Sequence, residues 1–286
     1  MTDATEIRPG AGPLLRLMRN PMGVMGALLV VLTCATAAFA PLIATHDPLA
    51  IDVMARFQPP GVPHLLGTDQ LGRDTFSRMV MGSRVALQVA LPSVLISLVL
   101  GMVLGMIAGY GPRWLDTAIS FCFDLLRSFP TVMLALSMVA LFGPSLNTVL
   151  AVVVVTSIPI YGRVARTQTL ALRSAEFITA EQGMGAGLWR IIAVHVAPNI
   201  MGPLLVLASM DIPSVIALEA GLSFLGMGVQ PPAPSWGALL KDGYAMIRST
   251  PWLVIAGAIP IIVTTLGFTF LGEALRDLTD PRRRSR

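Results

Sequence analysis

The feature that most constrains this chain is a series of long apolar runs with few or no charged residues. A helix needs about 20 apolar residues to cross about 30 Å of hydrocarbon. Six stretches approach or exceed that length, the third only if it extends back to Trp114; they are 24–43, 85–109, 114–142, 144–162, 191–218 and 249–272. The sequence therefore predicts an all-α polytopic membrane protein with six transmembrane helices.

The composition excludes most classes of soluble protein. Hydrophobic residues make up 54% of the chain and charged residues 13%, about half the usual charged share of a soluble domain. So few charges could not cover a water-soluble fold. A cytosolic enzyme, a disordered chain and a nucleic-acid-binding protein are therefore excluded, despite the net charge of +4. Cys34 and Cys122 lie in apolar runs, which excludes a disulfide framework.

The distribution of Lys and Arg indicates the orientation. With six helices and both termini in the cytoplasm, thirteen of these residues lie inside and six outside, which is the positive-inside pattern. A seventh helix over 220–240 would export the basic C-terminus, and its prolines and glycines would leave backbone groups unpaired in lipid. We therefore predict an extracytoplasmic loop over 219–248, re-entrant or at the surface.

The N-terminal region is predicted to be a cytoplasmic segment, 1–23, followed by an uncleaved signal anchor, 24–43. Ala38-Phe39-Ala40 has the small residues of a cleavage site. However, Pro41 follows it and the apolar run is long enough to span a membrane.

The extracytoplasmic loop 44–84 contains a second helix signal. Asp74 can cap a short helix. Phe76, Met79 and Val80 would then share one face, so we predict an interfacial helix that lies on the outer leaflet.

Glycines recur every fourth residue in the second span, at Gly101, Gly105 and Gly109. This spacing places them on one helix face, where another backbone can approach closely. The face predicts either helix packing within the chain or a subunit interface.

Charges within the spans are costly and therefore informative. Asp211 and Glu219, eight residues apart, fall on nearly the same face of the fifth helix. They are candidates for the lining of a solute pathway, with a structural hydrogen bond as the alternative. Asp124 and Arg127 are three residues apart, so we predict that they form an ion pair.

No catalytic or metal site is predicted. His46, His64 and His195 are far apart in the sequence, and no helix carries a pair at metal-ligand spacing. A phosphate-binding loop needs Gly-Lys-Ser/Thr, but the single lysine, Lys241, follows Leu240. If ATP drives transport here, another chain must hydrolyse it.

The longest cytoplasmic connection, 163–190, is not a polar linker. Its pattern predicts a helix over 167–184, an interruption at Gly185 and Gly187, and a second helix from Leu188. Such an element is either a solvated loop helix or a docking surface for a cytoplasmic partner.

One stretch of this connection resembles a known motif. The run Glu176-Phe177-Ile178-Thr179-Ala180-Glu181, with Gly185, Trp189-Arg190 and Pro198 after it, resembles the EAA loop of ABC importer permeases. Ala180, Gly185 and Pro198 match the motif, whereas Thr179 replaces its glutamate and Glu181 its second alanine. Further segments agree in order and spacing, namely 66–74, 222–226 and 230–237. The chain thus resembles the C-type permease subunit of the dipeptide/oligopeptide/nickel importer family.

This resemblance implies a type I ABC importer permease fold over 85–286, in a bacterial inner membrane. The loop 163–190 would hold a coupling helix that contacts an ATPase through Glu176, Phe177, Thr179, Ala180, Glu181, Gly185, Trp189 and Arg190. The implied partners are a homologous second permease forming a heterodimer, two cytoplasmic ATPase subunits and an extracytoplasmic solute-binding protein. No cofactor is expected in this chain, since ATP and Mg would be bound by the ATPase subunits.

The resemblance makes di- and oligopeptides the default solute, with nickel complexes, opines and glutathione as alternatives. Nickel would favour His, Cys or carboxylate ligands along the path, and the spans contain few. A self-contained secondary transporter often has inverted repeats, and no internal repeat is evident in this sequence.

Overall fold

The computed structural model describes residues 20–279. Most of the predicted N-terminal segment, 1–23, and the basic C-terminal tail lie outside the described residues. The helices are α1 (Pro21–Ala38), α2 (Ala40–Ile43), α3 (Thr75–Tyr110), α4 (Arg113–Ser128), α5 (Thr131–Phe142), α6 (Leu146–Arg173), α7 (Glu176–Gly183), α8 (Leu188–Arg190), α9 (Ala197–Phe224), α10 (Trp236–Ala245) and α11 (Pro251–Thr279). A π-helical turn, Ile191–Val196, joins α8 to α9 without a break.

The part of the chain that the structure describes contains five helical segments, or six, that are long and apolar enough to cross a membrane. Five are single helical segments, and α4 with α5 makes a sixth if that bent pair counts as one span. The third predicted span, 114–142, is therefore broken: its two halves meet at 88°. Pro130 lies at the break, where it lacks an N–H and keeps Phe129 out of the helical conformation.

The centre of the fold is the contact between α3 and α6. A Cβ atom on Gly105 would lie 2.6 Å from the Cβ of Ala165, and one on Gly109 would lie 2.8 Å from that of Thr169. Gly101 lies against Tyr161 and Gly162 in the same way. Two roles were predicted for this glycine face. In the structure it packs against α6 of the same chain.

α3 is one continuous helix of 36 residues, so the predicted separate interfacial helix is wrong. Asp74 does cap it, because its Oδ2 accepts a hydrogen bond from Ser77 N at 2.7 Å. The face assigned to lipid is partly covered by protein instead, with Phe76 and Met79 half-buried. Val80 is buried, and Trp236 from α10 donates its indole N–H to Met79 O at 2.9 Å.

The first helix packs on the last. Gly26 lies against the backbone of Leu271, and Gly267 lies against Leu29. Within the same contact the hydroxyl oxygens of Thr33 and Thr264 are 3.2 Å apart. α1 is therefore an integral part of the helix bundle.

Two connections differ from or refine the predictions. The helix predicted over 167–184 is two helices, because α6 runs on to Arg173 and α7 begins only at Glu176. Between α9 and α11 the chain forms a loop and the ten-residue helix α10. With ten residues, α10 is too short to span a membrane, in agreement with the prediction that 220–240 is not a seventh transmembrane helix.

Candidate functional site

A cavity of about 370 Å³ lies among α4, α5, α6 and α9. Most of its lining is apolar or hydroxylic, and two charged side chains reach it. The lining residues are Leu126, Arg127, Phe129, Thr131, Val153, Thr156, Ser157, Ile160, Asp211, Ser214, Val215 and Leu218. An apolar cavity with a few convergent polar groups is the usual form of a small-molecule site.

Asp211 both lines the cavity and forms a structural hydrogen bond, the two alternatives that the sequence left open. Its carboxylate lines the cavity. Its Oδ2 also accepts a hydrogen bond from the phenol of Tyr161 at 3.1 Å, and Tyr161 is fully buried. The hydrogen bond fixes the orientation of a carboxylate that faces the cavity, so the structural contact supports the lining role.

Arg127 also lines the cavity, and its predicted pairing is wrong. Asp124 instead forms an ion pair with Arg163 of α6. The prediction rested on the three-residue spacing of Asp124 and Arg127. Spacing along one helix cannot show that Arg163, on another helix, lies closer to Asp124. Arg127 therefore gives the cavity a positive group in addition to the carboxylate of Asp211.

Glu219 is not among the cavity-lining residues. It is fully buried, and its Oε1 accepts a hydrogen bond from the hydroxyl of Ser223 at 2.7 Å. Ser223 in turn accepts one from Val229 N at 3.4 Å. The chain of contacts ties the end of α9 to the loop after it, which favours the structural alternative for Glu219.

The cytoplasmic element formed by α7, residues 184–187 and α8 is attached to the bundle along one side. Ile178 is fully buried. Gln182 donates to the Tyr110 hydroxyl at 2.7 Å, and Glu181 Oε1 lies 3.5 Å from His195 Nε2. The ring of Phe177 packs 6.4 Å from that of His195 between centroids.

The turn of this element depends on Gly185, as predicted. Gly185 has φ +84°, a left-handed conformation that costs other residues roughly 1–2 kcal/mol. Its N–H and that of Ala186 donate to Gln182 O and Glu181 O, each at 3.0 Å. These bonds satisfy carbonyls at the end of α7, as in a Schellman-type cap.

The opposite side of this element is exposed and apolar. Trp189 is 82% exposed and Met184 75% exposed, and Leu188 is also exposed; Phe177, which packs on His195, is only partly exposed. The other predicted coupling residues Glu176, Thr179, Ala180 and Arg190 are exposed as well, and Glu181 is half-buried. An exposed apolar patch rimmed by polar residues is typical of a protein interaction site.

Sequence reasoning missed a buried ionic cluster on the extracytoplasmic side. Asp69 Oδ2 lies 2.7 Å from Arg73 Nε and 3.5 Å from Arg78 Nε, and all three residues are buried. Asp242 of α10 lies 3.8 Å from Arg73. Burial raises the pKa of Asp242, while Arg78 and Arg73 oppose that rise. The cluster joins α3 to α10.

The histidines are not all separate. His46 and His64 lie in one loop region with ring centroids 4.7 Å apart, so the prediction that they are far apart holds only along the sequence. His195, by contrast, packs against the cytoplasmic element.

Comparison with known proteins gives the family context. The sequence profile described as "binding-protein-dependent transport system inner membrane component" matches residues 101–285. A second profile, the "N-terminal TM domain of oligopeptide transport permease C", matches residues 14–60.

Individual relatives align over nearly their whole length. A dipeptide transport system permease protein of Alkalihalophilus pseudofirmus is 38% identical, over 98% of this chain and 92% of the relative. A probable D,D-dipeptide transport system permease protein of Escherichia coli is 36% identical, over 96% and 92%. A glutathione transport system permease protein of Pectobacterium atrosepticum is 37% identical, over 94% and 90%.

A solved structure shares the fold. The structure describes inward-facing conformations of the MetNI methionine ABC transporter, and the matched chain superposes with a TM-score of 0.59. The match covers 71% of this chain and 97% of that one at 17% identity, so the likeness concerns the fold alone.

Proposed function

Because this chain belongs to the family of binding-protein-dependent transport inner membrane components, we propose that its cavity forms part of a translocation path for small peptides. The chain is a multi-pass inner-membrane permease subunit of an ABC importer. The peptide assignment follows the dipeptide permeases among its relatives.

The observation that carries the proposal is the pairing of opposite charges in one cavity. Asp211 and Arg127 both line it, between hydroxyl groups and aliphatic side chains. A short peptide has an amino group, a carboxylate and apolar side chains, and it would find a counterpart for each in such a lining. A nickel ion would find one carboxylate there and no histidine or cysteine.

The second part of the proposal is that transport is coupled to ATP hydrolysis in other chains. The exposed patch of Trp189, Met184 and Leu188 would seat in a groove of a cytoplasmic ATPase subunit. Since α7 begins three residues after α6 ends, movement of the patch would pass directly to the bundle. The ATPase subunits would bind ATP and Mg, and this chain would have no catalytic site.

The proposed assembly contains two ATPase subunits, a homologous second permease forming a heterodimer with this chain, and an extracytoplasmic binding protein. The binding protein would dock on the outer face formed by residues 44–74 and 226–250.

The experiment is purification of the tagged chain from its native membrane in mild detergent, followed by mass spectrometry of the proteins that co-purify. We expect ATPase subunits, a second permease and a binding protein. The purified assembly, reconstituted in liposomes, should take up a labelled dipeptide only when ATP is present on the side of the membrane that carries the ATPase subunits. Solute movement by this chain alone, without ATP, would contradict the proposal.

Glutathione is the second candidate solute, because a glutathione permease is among the relatives. Glutathione is itself a tripeptide, with an amino group and two carboxylates. Competition between glutathione and a dipeptide in the uptake assay separates the two candidates.

A further inference from the structure

The extracytoplasmic loop brings together three side chains that could hold a metal ion. His46 follows α2, His64 lies in the middle of the loop, and Asp74 caps α3. One ligand atom from each of them lies within 4.8 Å of the other two. We infer that His46, His64 and Asp74 form a binding site for a divalent transition-metal ion, with Zn²⁺ as the best fit.

The distances need little adjustment to accept an ion. Asp74 Oδ1 lies 2.9 Å from His64 Nδ1 and 3.7 Å from His46 Nδ1. Ligands at about 2.0–2.1 Å from a tetrahedral zinc ion lie about 3.3 Å from one another. Tetrahedral geometry would therefore require Asp74 Oδ1 and His64 Nδ1 to move slightly apart and His46 Nδ1 to move slightly closer to Asp74 Oδ1.

The carboxylate is held in place before any ion binds. Asp74 Oδ2 accepts a hydrogen bond from Ser77 N at 2.7 Å, and the side chain is 1% exposed. Its other oxygen, Oδ1, is left for the two imidazoles. Ligands that are already oriented lose less freedom when an ion binds.

Convergence of two imidazoles on one oxygen favours a metal site over a simple hydrogen bond. A hydrogen bond to Oδ1 requires only His64. The ring of His46 lies beside it, tilted by 39° with 4.7 Å between centroids. Its Nδ1 contacts the Thr45 hydroxyl at 3.0 Å and lies 3.7 Å from the same carboxylate oxygen. His46 is the most exposed of the three, so a water molecule could reach the fourth position of the ion.

The donor set selects the class of ion. Two imidazole nitrogens and one carboxylate oxygen suit Zn²⁺, and also Co²⁺ and Ni²⁺, whereas Ca²⁺ and Mg²⁺ prefer oxygen ligands only. An ion there would link the segment after α2 to the start of α3. None of the three residues lines the cavity at Asp211, so the site is separate from the proposed path and its role would be to brace the outer loop.

The test is zinc binding by the full chain, purified in detergent with a tag that contains no histidine and treated with a chelator. The variants are His46→Asn and His64→Asn, because an asparagine amide can replace the Nδ1 hydrogen bond but is a poor ligand for zinc. His195→Asn is the matched control, since His195 lies in the π-helical turn Ile191–Val196, next to the cytoplasmic element. Zn²⁺ is titrated by calorimetry, and Co²⁺ is used for its visible spectrum.

We expect one equivalent of Zn²⁺ per chain, a tetrahedral Co²⁺ spectrum, and a zinc-dependent rise in Tm. Each loop variant should weaken binding by at least about tenfold and lose the rise in Tm, while the His195→Asn variant keeps both. Absence of saturable binding, or equal binding by all four proteins, would overturn the inference and leave His64–Asp74 as a plain hydrogen bond. His46 is partly exposed, so its variant should fold even if the His64 variant does not.

Discussion

At the scale of single residues, Asp211 is where the proposed recognition of charge by the cavity can be tested. Asp211→Asn keeps an oxygen that can accept the Tyr161 hydrogen bond but removes the negative charge from the lining. We expect peptide uptake to fall at least about tenfold, since a lost charge-assisted contact is worth roughly 1.5–3 kcal/mol. Uptake of labelled dipeptide in liposomes, at matched protein level, measures the effect.

Tyr161→Phe is the control for this prediction, because it removes the hydrogen bond and leaves the charge. A smaller loss of uptake than in Asp211→Asn supports recognition of charge. If Tyr161→Phe is the more damaging change and Asp211→Asn transports normally, Asp211 has only a structural role.

Asp69 is the residue on which the extracytoplasmic cluster depends. It is fully buried between Arg73 and Arg78 and also accepts two backbone N–H bonds, from Leu71 at 2.8 Å and Arg73 at 3.0 Å. Asp69→Asn would leave two buried guanidinium groups with little compensation, a change that typically costs about 3–5 kcal/mol. We expect a large drop in Tm in detergent.

Asp242→Asn is the matched comparison, because Asp242 is more exposed and lies 3.8 Å from Arg73. Its effect on Tm should be clearly smaller. Equal Tm values for the two variants would mean that burial of Asp69 does not set the stability of the cluster.

At the scale of elements, the cytoplasmic turn depends on one backbone conformation. No atom lies within 4 Å of a Cβ placed on Gly185, so Gly185→Ala acts only through its φ of +84°. We expect normal insertion but ATP hydrolysis that is less well coupled to uptake, because the strained turn changes the angle between α7 and α8. The ratio of peptide taken up to ATP hydrolysed is the measurement.

Gly183→Ala is the control for the turn. Gly183 also has open space around it, but it lies within α7 and has no positive φ, so alanine there should leave coupling unchanged. Unchanged coupling in a correctly inserted Gly185→Ala protein would contradict the role assigned to this turn.

At the scale of the whole molecule, the packing of α1 on α11 can be tested by a cross-link. The hydroxyl oxygens of Thr33 and Thr264 are 3.2 Å apart, so Thr33→Cys with Thr264→Cys should form a disulfide under mild oxidation in a background where Cys34 and the exposed Cys122 are replaced by serine. Mobility on a non-reducing gel detects it. Single-cysteine proteins are the control, and failure of the pair to cross-link would show that α1 does not hold this position.

The features predicted correctly from the sequence are those that local patterns encode. Apolar runs predicted the spans, Asp74 predicted a helix start, and Gly185 predicted a turn. The features missed depend on residues that are distant in sequence, such as Arg73 with Asp242 and Asp124 with Arg163. The continuity of α3 was missed because its outer face is covered by Trp236, whose position the sequence cannot give.

The continuous helix α3 has a mechanical consequence. Its 36 residues span about 54 Å, well beyond the roughly 30 Å of hydrocarbon. Buried charges clamp its outer end to α10, and its glycine face makes α6 move with it. If that clamp stays fixed while the cytoplasmic ends move, a rotation of α3 by about 5° would carry those ends through roughly 5 Å, close to one helical pitch. A small tilt of α3 and α6 together would therefore be enough to change the width of the bundle on its cytoplasmic side.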